Sequence, residues 1–283
     1  MTVARQCVVC GSHNLVKVSA VLAPFLADRI FDWKPMDIDE SFGFRDIPIG
    51  HAYALCNTLC CSECQMLFLD MRFDDDEMGR LYSGYRDENY TELRSSYESG
   101  YEIVNQVLEG KRWDYVRQVE LFLQPHLSGD MRILDFGGDD GANTPFIDTA
   151  DTVHIFDISG KTTLHNAVAV TIDEIKKYQC EYSLVTCMQV LEHVSDPHQI
   201  IQQLVDLSGK RTLIYLEIPL ETLMVNPMEK FYTKKRLWHE HINFFSPMAL
   251  ERLAVIHDLV IVDKFQTEVG NGKQIQAIVC RKK

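Results

Sequence analysis

The chain is organised around residues 133–141, which read ILDFGGDDG. The first residues of this stretch are typical of a buried strand, and the glycines that follow predict a tight turn. A second apolar run, residues 155–156, leads into Asp157 about one βα unit later. In open α/β sheets, ligands bind at the carboxyl ends of the strands, and an acid after the second strand can hold the hydroxyls of a ribose. The pattern therefore predicts a ligand site at this sheet edge.

The spacing of the glycines distinguishes between cofactors. A dinucleotide fingerprint would read G-x-G-x-x-G, and this turn does not. The turn instead resembles the acid-x-G-x-G-x-G signature of class I S-adenosylmethionine (SAM) methyltransferases, with an aspartate in place of the middle glycine. Aspartate tolerates left-handed backbone angles better than most residues, so we expect the turn to survive. The resemblance implies that SAM is bound by Asp135, Gly137, Gly138, Asp139, Gly141, Asp157 and Ile158.

Glycines of this kind also occur in ordinary βα turns without a ligand, so the later segments matter. A predicted buried strand runs into residues 189–197, which read QVLEHVSDP and closely resemble the LEHV…DP segment after the fourth strand in this superfamily. By this resemblance, Met188, Gln189 and His193 join the predicted cofactor site, although His193 is equally compatible with a structural role. Asp173 ends a predicted third strand, where an acid often meets the adenine amino group, and is a further candidate.

The order of these segments predicts an α/β fold. We expect a Rossmann-like, seven-stranded class I methyltransferase sheet with a small N-terminal zinc-binding domain. The predicted division is a zinc-binding domain at residues 1–90, a helical linker at 91–127 and a SAM-dependent methyltransferase domain at 128–283. In the linker, apolar residues recur every three to four positions, as in amphipathic helices.

The bulk properties exclude several classes of protein. The chain has 283 residues, 46% hydrophobic and 24% charged, which is ordinary for a globular protein. Its net charge of −13 argues against nucleic acid as a partner, because phosphate backbones need a basic surface. No apolar stretch is long enough to span a bilayer, and no basic start precedes an apolar run. We therefore expect a cytoplasmic protein without a membrane partner.

Nine cysteines in a reducing compartment indicate metal ligands or buried thiols. Cys7 and Cys10 form a CxxC followed by glycine, and Cys61 and Cys64 form a second CxxC. Two such pairs supply the four thiolates of a closed, tetrahedral structural zinc site. The spacing between the pairs is longer than in a short zinc ribbon. Two further thiols, those of Cys56 and Cys60, are rival ligands, and four reduced core cysteines are the alternative.

Residues 238–246, which read WHEHINFFS, are the densest cluster of proton-handling groups in the chain. They follow the fifth predicted strand, on the ligand-binding edge of such a sheet. Together with the N-terminal CxxC pairs, this segment resembles the EH-x-x-x-F-S segment of bacterial sugar C-methyltransferases, whose histidine is a general base. The resemblance implies that His241 is the base, with Glu240 and His239 beside it. An imidazole titrates near neutrality and can accept a proton from a hydroxyl or from a carbon next to a ketone.

The sequence departs from that family at two places. Trp238 stands where the family tends to have a tyrosine, and the family's further C-terminal domain of about a hundred residues is not in this sequence. The acceptor is therefore expected to be smaller, or another capsule or glycan precursor. His239 and His241 are also alternate residues that share a face of an extended segment and could bind a metal, but no third ligand is obvious. A purely structural role for this segment is a third possibility.

These patterns lead to one main hypothesis and two alternatives. The main hypothesis is a zinc-bearing, SAM-dependent methyltransferase that acts on a small carbohydrate-like or nucleotide-linked metabolite such as a sugar nucleotide. The first alternative is a catalytically silent methyltransferase fold that serves as a binding module, suggested by Asp139. The second is a nicotinamide-dependent oxidoreductase. The sequence leaves open the acceptor, the methylated atom (carbon, oxygen or nitrogen) and the oligomeric state.

Overall fold

The computed structural model describes residues 1–43, 50–108, 111–164, 166–225, 227–270 and 272–283. The α-helices of this part of the chain are α1 (Pro24–Phe31), α2 (Asp75–Tyr82), α3 (Glu88–Tyr97), α4 (Tyr101–Leu108), α5 (Tyr115–Leu123), α6 (Ile172–Lys177), α7 (Pro197–Leu207), α8 (Thr222–Val225) and α9 (Pro247–Ile256). Short 3₁₀ turns lie at Glu40–Phe42, Gln124–His126 and Phe231–Lys234.

The strands of the same residues fall into two large sheets and two small ribbons. They are β1 (Thr2–Val3), β2 (Leu15–Leu22), β3 (Met36–Ile38), β4 (Gly50–Ala52), β5 (Leu55–Cys61), β6 (Leu67–Leu69), β7 (Met71–Arg72), β8 (Arg132–Phe136), β9 (Thr152–Phe156), β10 (Val168–Ala169), β11 (Leu184–Met188), β12 (Leu213–Leu220), β13 (Leu237–Trp238), β14 (Asn243–Phe244), β15 (Leu259–Gly270) and β16 (Lys273–Lys282).

The larger sheet has seven strands in the order β10-β9-β8-β11-β12-β16-β15. Strands β8 to β12 pair in parallel, and β16 is antiparallel to both of its neighbours. Consecutive residues alternate between the two faces of this sheet. Leu134 and Val185 pack with α7 and α9, whereas Ile133 and Leu184 pack with α5 on the other face. The predicted Rossmann-like α/β sheet of seven strands is confirmed.

The second sheet combines strands from the N-terminal region with strands from a much later segment. Its order is β13-β2-β5-β6-β14, so three strands from the first 70 residues are flanked by two strands from residues 237–244. Trp238 is fully buried there, and its indole Nε1–H donates to Thr58 Oγ1 at 2.8 Å. Because β13 and β14 are anchored in this sheet, residues 239–242 are held from both sides.

Arg72 and Asn243 connect this sheet to the segment after β11. The Asn243 amide nitrogen donates to the carbonyl oxygens of Leu191 and Val194, and Arg72 donates to Val194, Ser195 and the Asn243 side chain. Burial of this guanidinium lowers the pKa of Arg72 to about 10. The two segments that carry histidines are thereby fixed against each other.

Among the described residues, no helix is both long enough and apolar enough to cross a bilayer.

Candidate active site

A cavity of about 1160 Å³ opens at the carboxyl ends of β8, β9 and β11. Its lining includes the glycine turn and Asp157, here called the cofactor end, and residues of α2 and α3 with residues 240–241, here called the second end. Aromatic side chains from the helical region, Tyr82, Tyr85, Tyr101 and Trp113, complete the wall. A pocket for one drug-sized ligand is typically about 300–1,000 Å³. This cavity therefore has room for a cofactor together with a small second ligand.

The glycine turn is built as its sequence requires. The Gly137 amide donates to the carbonyl of Phe156 at 2.7 Å, and this residue has a φ of +83°. A Cβ atom on Gly137 would lie 2.3 Å from Val190 Cγ2, and one on Gly138 would lie 2.7 Å from Asp135 Oδ2. Gly141 also has a left-handed φ, of +86°. A side chain at either of the first two positions would force the turn or the neighbouring side chain to shift.

Asp139, which stands where the family signature has a glycine, adopts the left-handed conformation with a φ of 51°. Its carboxylate pairs with Lys161 at 2.9 Å. Burial raises the pKa of Asp139, although Lys161 opposes that shift. The negative charge of Asp139 is therefore paired with a lysine of the protein and does not depend on a ligand for a partner.

Asp157 and Ile158 follow β9 and line the cavity. The Asp157 carboxylate accepts from the amides of Asp139 at 2.9 Å and Ser159 at 2.7 Å, which fixes its orientation. Each oxygen keeps lone-pair capacity for a further donor. The Ile158 side chain is exposed, at 68%. The structure thus brings an oriented carboxylate and an apolar side chain together beside the glycine turn.

Asp135 lies beneath the turn and is almost fully buried. Its carboxylate accepts from Thr186 Oγ1 at 2.7 Å and from Thr144 Oγ1. Burial raises the pKa of this carboxyl, and the two hydroxyls oppose that shift. Asp135 therefore positions the turn through its threonine partners.

Met188 and Gln189 lie at the end of β11 and line the cavity. The Gln189 side chain donates to Glu217 Oε1 at 3.0 Å. Glu217 is fully buried and also accepts from the hydroxyls of Tyr115 at 3.0 Å and Tyr215 at 2.7 Å. Burial raises the pKa of Glu217 to about 7. All of its partners belong to the protein.

Asp173 is located elsewhere. It occupies the first turn of α6, which begins after a capping box formed by Thr171 and Glu174. The Asp173 side chain is 83% exposed, pairs with Lys176 at 3.1 Å and is not among the described residues that line the cavity. The structure does not bring it together with the rest of the predicted cofactor site.

Glu240 anchors the segment that carries the histidines. Its Oε1 accepts from Arg94 Nη1 at 2.8 Å and from the hydroxyl of Tyr90. Burial favours the neutral acid, but Arg94, His239 and Tyr90 outweigh burial and lower the pKa of Glu240. The His239 ring donates to Glu98 through Nε2, accepts from the Glu240 amide through Nδ1, and stacks on Phe25. His239 does not line the cavity in the described part of the chain.

His241 lines the cavity and contacts Glu221, a residue that the sequence did not single out. The Nδ1–H donates to Glu221 Oε1 at 2.6 Å. Burial alone would lower the pKa of His241, but the hydrogen bond to Glu221 and the charge of Glu192 outweigh burial and raise it. An oriented imidazole with its second nitrogen available is thereby placed in the cavity wall.

His193 stands against His241, with ring centroids 4.7 Å apart and the rings nearly perpendicular. Its Nδ1 lies 3.1 Å from the Glu240 carbonyl oxygen and 2.9 Å from the Tyr82 hydroxyl. Burial, followed by the charge of His241, lowers the pKa of His193 to about 3. The ring is consequently neutral near neutrality.

Glu192 was missed as a site residue, although it lies in the LEHV segment. Its side chain is 1% exposed, lines the cavity, and neither carboxylate oxygen has a hydrogen-bond partner among the described residues. Burial raises the pKa of Glu192 to about 7. The only sequence signal was an acid next to His193, which does not reveal that the acid faces inward.

The four predicted thiol ligands converge on one another. Sγ atoms of Cys7 and Cys64 lie 3.5 Å apart, as do those of Cys10 and Cys61. Four sulfurs about 2.3 Å from a tetrahedral zinc ion would be about 3.8 Å apart, close to these distances. The group can therefore hold a metal ion. The two rival thiols are not part of it; Cys56 and Cys60 pack in a separate apolar cluster, and burial raises their pKa values.

The strand order and the glycine turn at the carboxyl edge define a SAM-dependent methyltransferase of class I. The chain belongs to the methyltransferase domain family, whose model matches residues 109–264, more than half of the chain. The predicted enzyme class is therefore confirmed. No curated protein sequence matches the chain.

Solved structures with a similar fold include two methyltransferases. One is the Burkholderia thailandensis 1,6-didemethyltoxoflavin-N1-methyltransferase with bound 1,6-didemethyltoxoflavin and S-adenosylhomocysteine, at 15% identity and a TM-score of 0.53, covering 78% of this chain and 96% of that chain. Another is the magnesium protoporphyrin IX methyltransferase of Synechocystis PCC 6803 with S-adenosylhomocysteine, at 13% identity and a TM-score of 0.46, covering 70% and 96%. At 15% identity, the likeness to the first of these structures shows the fold alone.

Proposed function

We propose that this protein transfers the methyl group of SAM to a small, carbohydrate-like or nucleotide-linked acceptor of capsule or glycan biosynthesis, and that His241 removes the proton of the acceptor. The observation that carries the proposal is the shared cavity. The glycine turn and Asp157 line one end of it, and His241 lines the other. The cavity volume suits both reactants, and placing two reactants together supplies much of the acceleration in a transfer reaction.

The residues at the sheet edge fit SAM. The Asp157 carboxylate, oriented by two backbone amides, has lone pairs for the ribose hydroxyls. Backbone at Gly137 and Gly138 offers close approach because neither position carries a side chain. Ile158, Met188 and Gln189 line the same end. When bound, SAM supplies an electrophilic methyl group on sulfur.

The proton of the acceptor is handled by a carboxylate–imidazole pair. Because the Nδ1–H of His241 donates to Glu221, the Nε2 lone pair is free and its direction is fixed. Nε2 takes the proton from a hydroxyl, or from a carbon next to a ketone, of the acceptor. The electron pair left on that oxygen or carbon forms the new bond to the methyl carbon, and the carbon–sulfur bond breaks to release S-adenosylhomocysteine. Glu240 and His239 act as positioning residues through Arg94 and Glu98.

The aromatic lining favours a carbohydrate-like acceptor. Tyr82, Tyr85 and Trp113 line the cavity wall, and such side chains combine apolar contact with a hydrogen-bonding group. The resemblance of residues 238–246 to sugar C-methyltransferases supports the same class.

Calorimetry and metabolite analysis test the proposal. The purified protein should bind SAM and S-adenosylhomocysteine, whereas NADH should not bind. Mass spectrometry of metabolites from cells with and without the protein should reveal a pair that differs by one methyl group. Failure to bind either sulfur compound would refute the proposal, and binding without any methylated product would favour a silent binding module.

We also propose that Cys7, Cys10, Cys61 and Cys64 hold a structural zinc ion. The near-tetrahedral sulfur spacing supports this assignment, and such sites contribute folding free energy directly. Elemental analysis should find one zinc per chain, and Cys64→Ser should lose it together with thermal stability. Cys56→Ser is the matched control and should retain the metal. Equal zinc content in both variants would contradict this ligand set.

A further inference from the structure

A second convergence of metal-ligand atoms lies inside the cavity. One carboxylate oxygen of Glu192 and one ring nitrogen each of His193 and His241 lie within 4.8 Å of one another. All three residues line the cavity wall. The two segments that carry them are separated by more than forty residues in sequence and are joined by the Asn243 amide, which donates to the carbonyls of Leu191 and Val194.

The unpaired carboxylate of Glu192 is an independent observation that points to a ligand at this place. Its side chain is 1% exposed, and neither oxygen accepts a hydrogen bond within the described residues. The neutral ring of His193 does not satisfy it either, because its Nε2 lies 3.7 Å from Glu192 Oε1, beyond hydrogen-bond distance. A buried carboxylate without hydrogen bonds is costly, and native structures usually satisfy such groups. By contrast, the equally buried Glu217 accepts from three donors of the protein.

Both histidines are arranged as metal ligands usually are. His241 donates its Nδ1–H to the Glu221 carboxylate at 2.6 Å, and the Nδ1 of His193 faces the carbonyl oxygen of Glu240 at 3.1 Å. The Tyr82 hydroxyl, 2.9 Å from the same nitrogen, can donate or accept, whereas a carbonyl oxygen only accepts; both contacts are satisfied together when Nδ1 carries the hydrogen. In both rings the Nε2 lone pair is then left free. Ligating histidines almost always donate their other N–H to a carboxylate or a backbone carbonyl in this way.

We propose that Glu192, His193 and His241 form a binding site for a divalent transition-metal ion, with its remaining coordination positions open to the cavity. Two imidazoles and one carboxylate suit zinc with an open position, or iron(II). Ligand atoms about 2.0–2.2 Å from a tetrahedral ion lie about 3.3–3.6 Å from one another, so these atoms, now within 4.8 Å, would move closer together by at most about 1.5 Å. The set differs from the His239 and His241 pair that the sequence offered as an alternative, because the His239 nitrogens are engaged by Glu98 and by the Glu240 amide.

This site goes beyond the proposed function. The ion would occupy the same Nε2 lone pair of His241 that the proposed function assigns to the acceptor's proton. With a metal ion bound, His241 could not accept the proton of the acceptor. Transition-metal ions should therefore inhibit methyl transfer.

Cobalt(II) is the probe that tests the site. The purified protein, loaded with a single equivalent of zinc so that only the four-thiolate site is filled, is titrated with Co²⁺ and followed by calorimetry and visible absorption. We expect one further equivalent of cobalt whose spectrum lacks thiolate charge-transfer bands. No binding, or a spectrum with such bands only, would overturn the proposal. Binding of SAM, measured separately, tests the proposed function and is independent of this result.

Variants locate the ion. Glu192→Gln should abolish cobalt binding, and Glu221→Gln should weaken it by about 10–100-fold, as expected when the partner of a ligating histidine is lost. His126→Gln is the matched control, because this histidine contacts Asp263 and is not among the described residues that line the cavity; the variant should bind cobalt normally. Retained S-adenosylhomocysteine binding shows that each variant is folded. Unchanged cobalt affinity in Glu192→Gln and Glu221→Gln would overturn the assignment.

Discussion

The two ends of the cavity satisfy their buried carboxylates in different ways. At the cofactor end, Asp135 accepts from two threonine hydroxyls and Glu217 from three donors, all within the protein. At the other end, Glu192 has no hydrogen-bond partner among the described residues, and His241 keeps a free ring nitrogen. This difference agrees with our proposals that the cofactor end is pre-formed and that the second end also binds a metal ion.

The largest effect that tests this contrast is expected at His241. Replacing it with alanine removes the proton acceptor, and general-base catalysis typically contributes about 10²–10⁴-fold in rate. His241→Ala should therefore lower turnover by that factor and leave SAM affinity unchanged, because the cradle is built elsewhere. The readouts are S-adenosylhomocysteine release and calorimetry. His198→Ala, a histidine that contacts Val9 outside the cavity, is the control. Undiminished turnover in His241→Ala would exclude it as the base.

A second test breaks the cradle through its backbone. Gly137 and Gly160 both have left-handed φ values, but only Gly137 has a neighbour in the space of a Cβ, at 2.3 Å. An L-residue in this conformation costs about 1–2 kcal/mol. Overpacking adds about 1–3 kcal/mol at Gly137 alone. Gly137→Ala should therefore lower the free energy of unfolding more than Gly160→Ala, and it alone should weaken SAM binding. If both variants lost the same free energy of unfolding, measured with denaturant, Val190 would have moved aside at little cost.

The third test compares two acids that were both predicted from the sequence to bind the cofactor. Asp157 lines the cavity and is oriented by backbone amides, whereas Asp173 is exposed on α6. A hydrogen bond to a charged group is worth about 1.5–3 kcal/mol, so Asp157→Asn should weaken SAM binding by about 10–100-fold. Asp173→Asn should leave it unchanged. Calorimetry of both variants decides, and a loss at Asp173 would place the adenine nearer to α6.

Local sequence predicted the cradle because its parts are contiguous. The turn from Asp135 to Gly141 and the carboxylate of Asp157 follow two consecutive strands, β8 and β9, that are joined by turns alone. The carboxylate partners of the histidines could not be predicted in this way. Glu192 and His241 meet because β13 and β14 insert into the N-terminal sheet and Asn243 connects it to the segment after β11. Asp173 was misleading because the capping box of Thr171 and Glu174 starts a helix where a strand end was expected.

The smallest expected effect is the pH dependence of stability that Glu217 contributes. Burial raises the pKa of Glu217 from its ordinary value of 4.5 to about 7 in the folded protein. The folded state then binds the proton more tightly than the unfolded state, so this contribution to stability is complete below the unfolded pKa and is lost as the pH rises through about 7. The loss should be about 1 kcal/mol between about pH 6 and pH 7.

Glu217→Gln isolates that contribution, because glutamine keeps the shape of the side chain but does not titrate. The free energy of unfolding, measured with denaturant at several pH values, should fall less steeply with pH in the variant than in the wild type. Glu192 titrates in the same range, since burial also raises its pKa to about 7, so both proteins retain a slope from that residue. Identical slopes would mean that the three donors around Glu217 keep it ionised. In that case Glu217 would carry a permanent buried charge. Glu217 and Glu192 would then differ in charge as well as in hydrogen bonding.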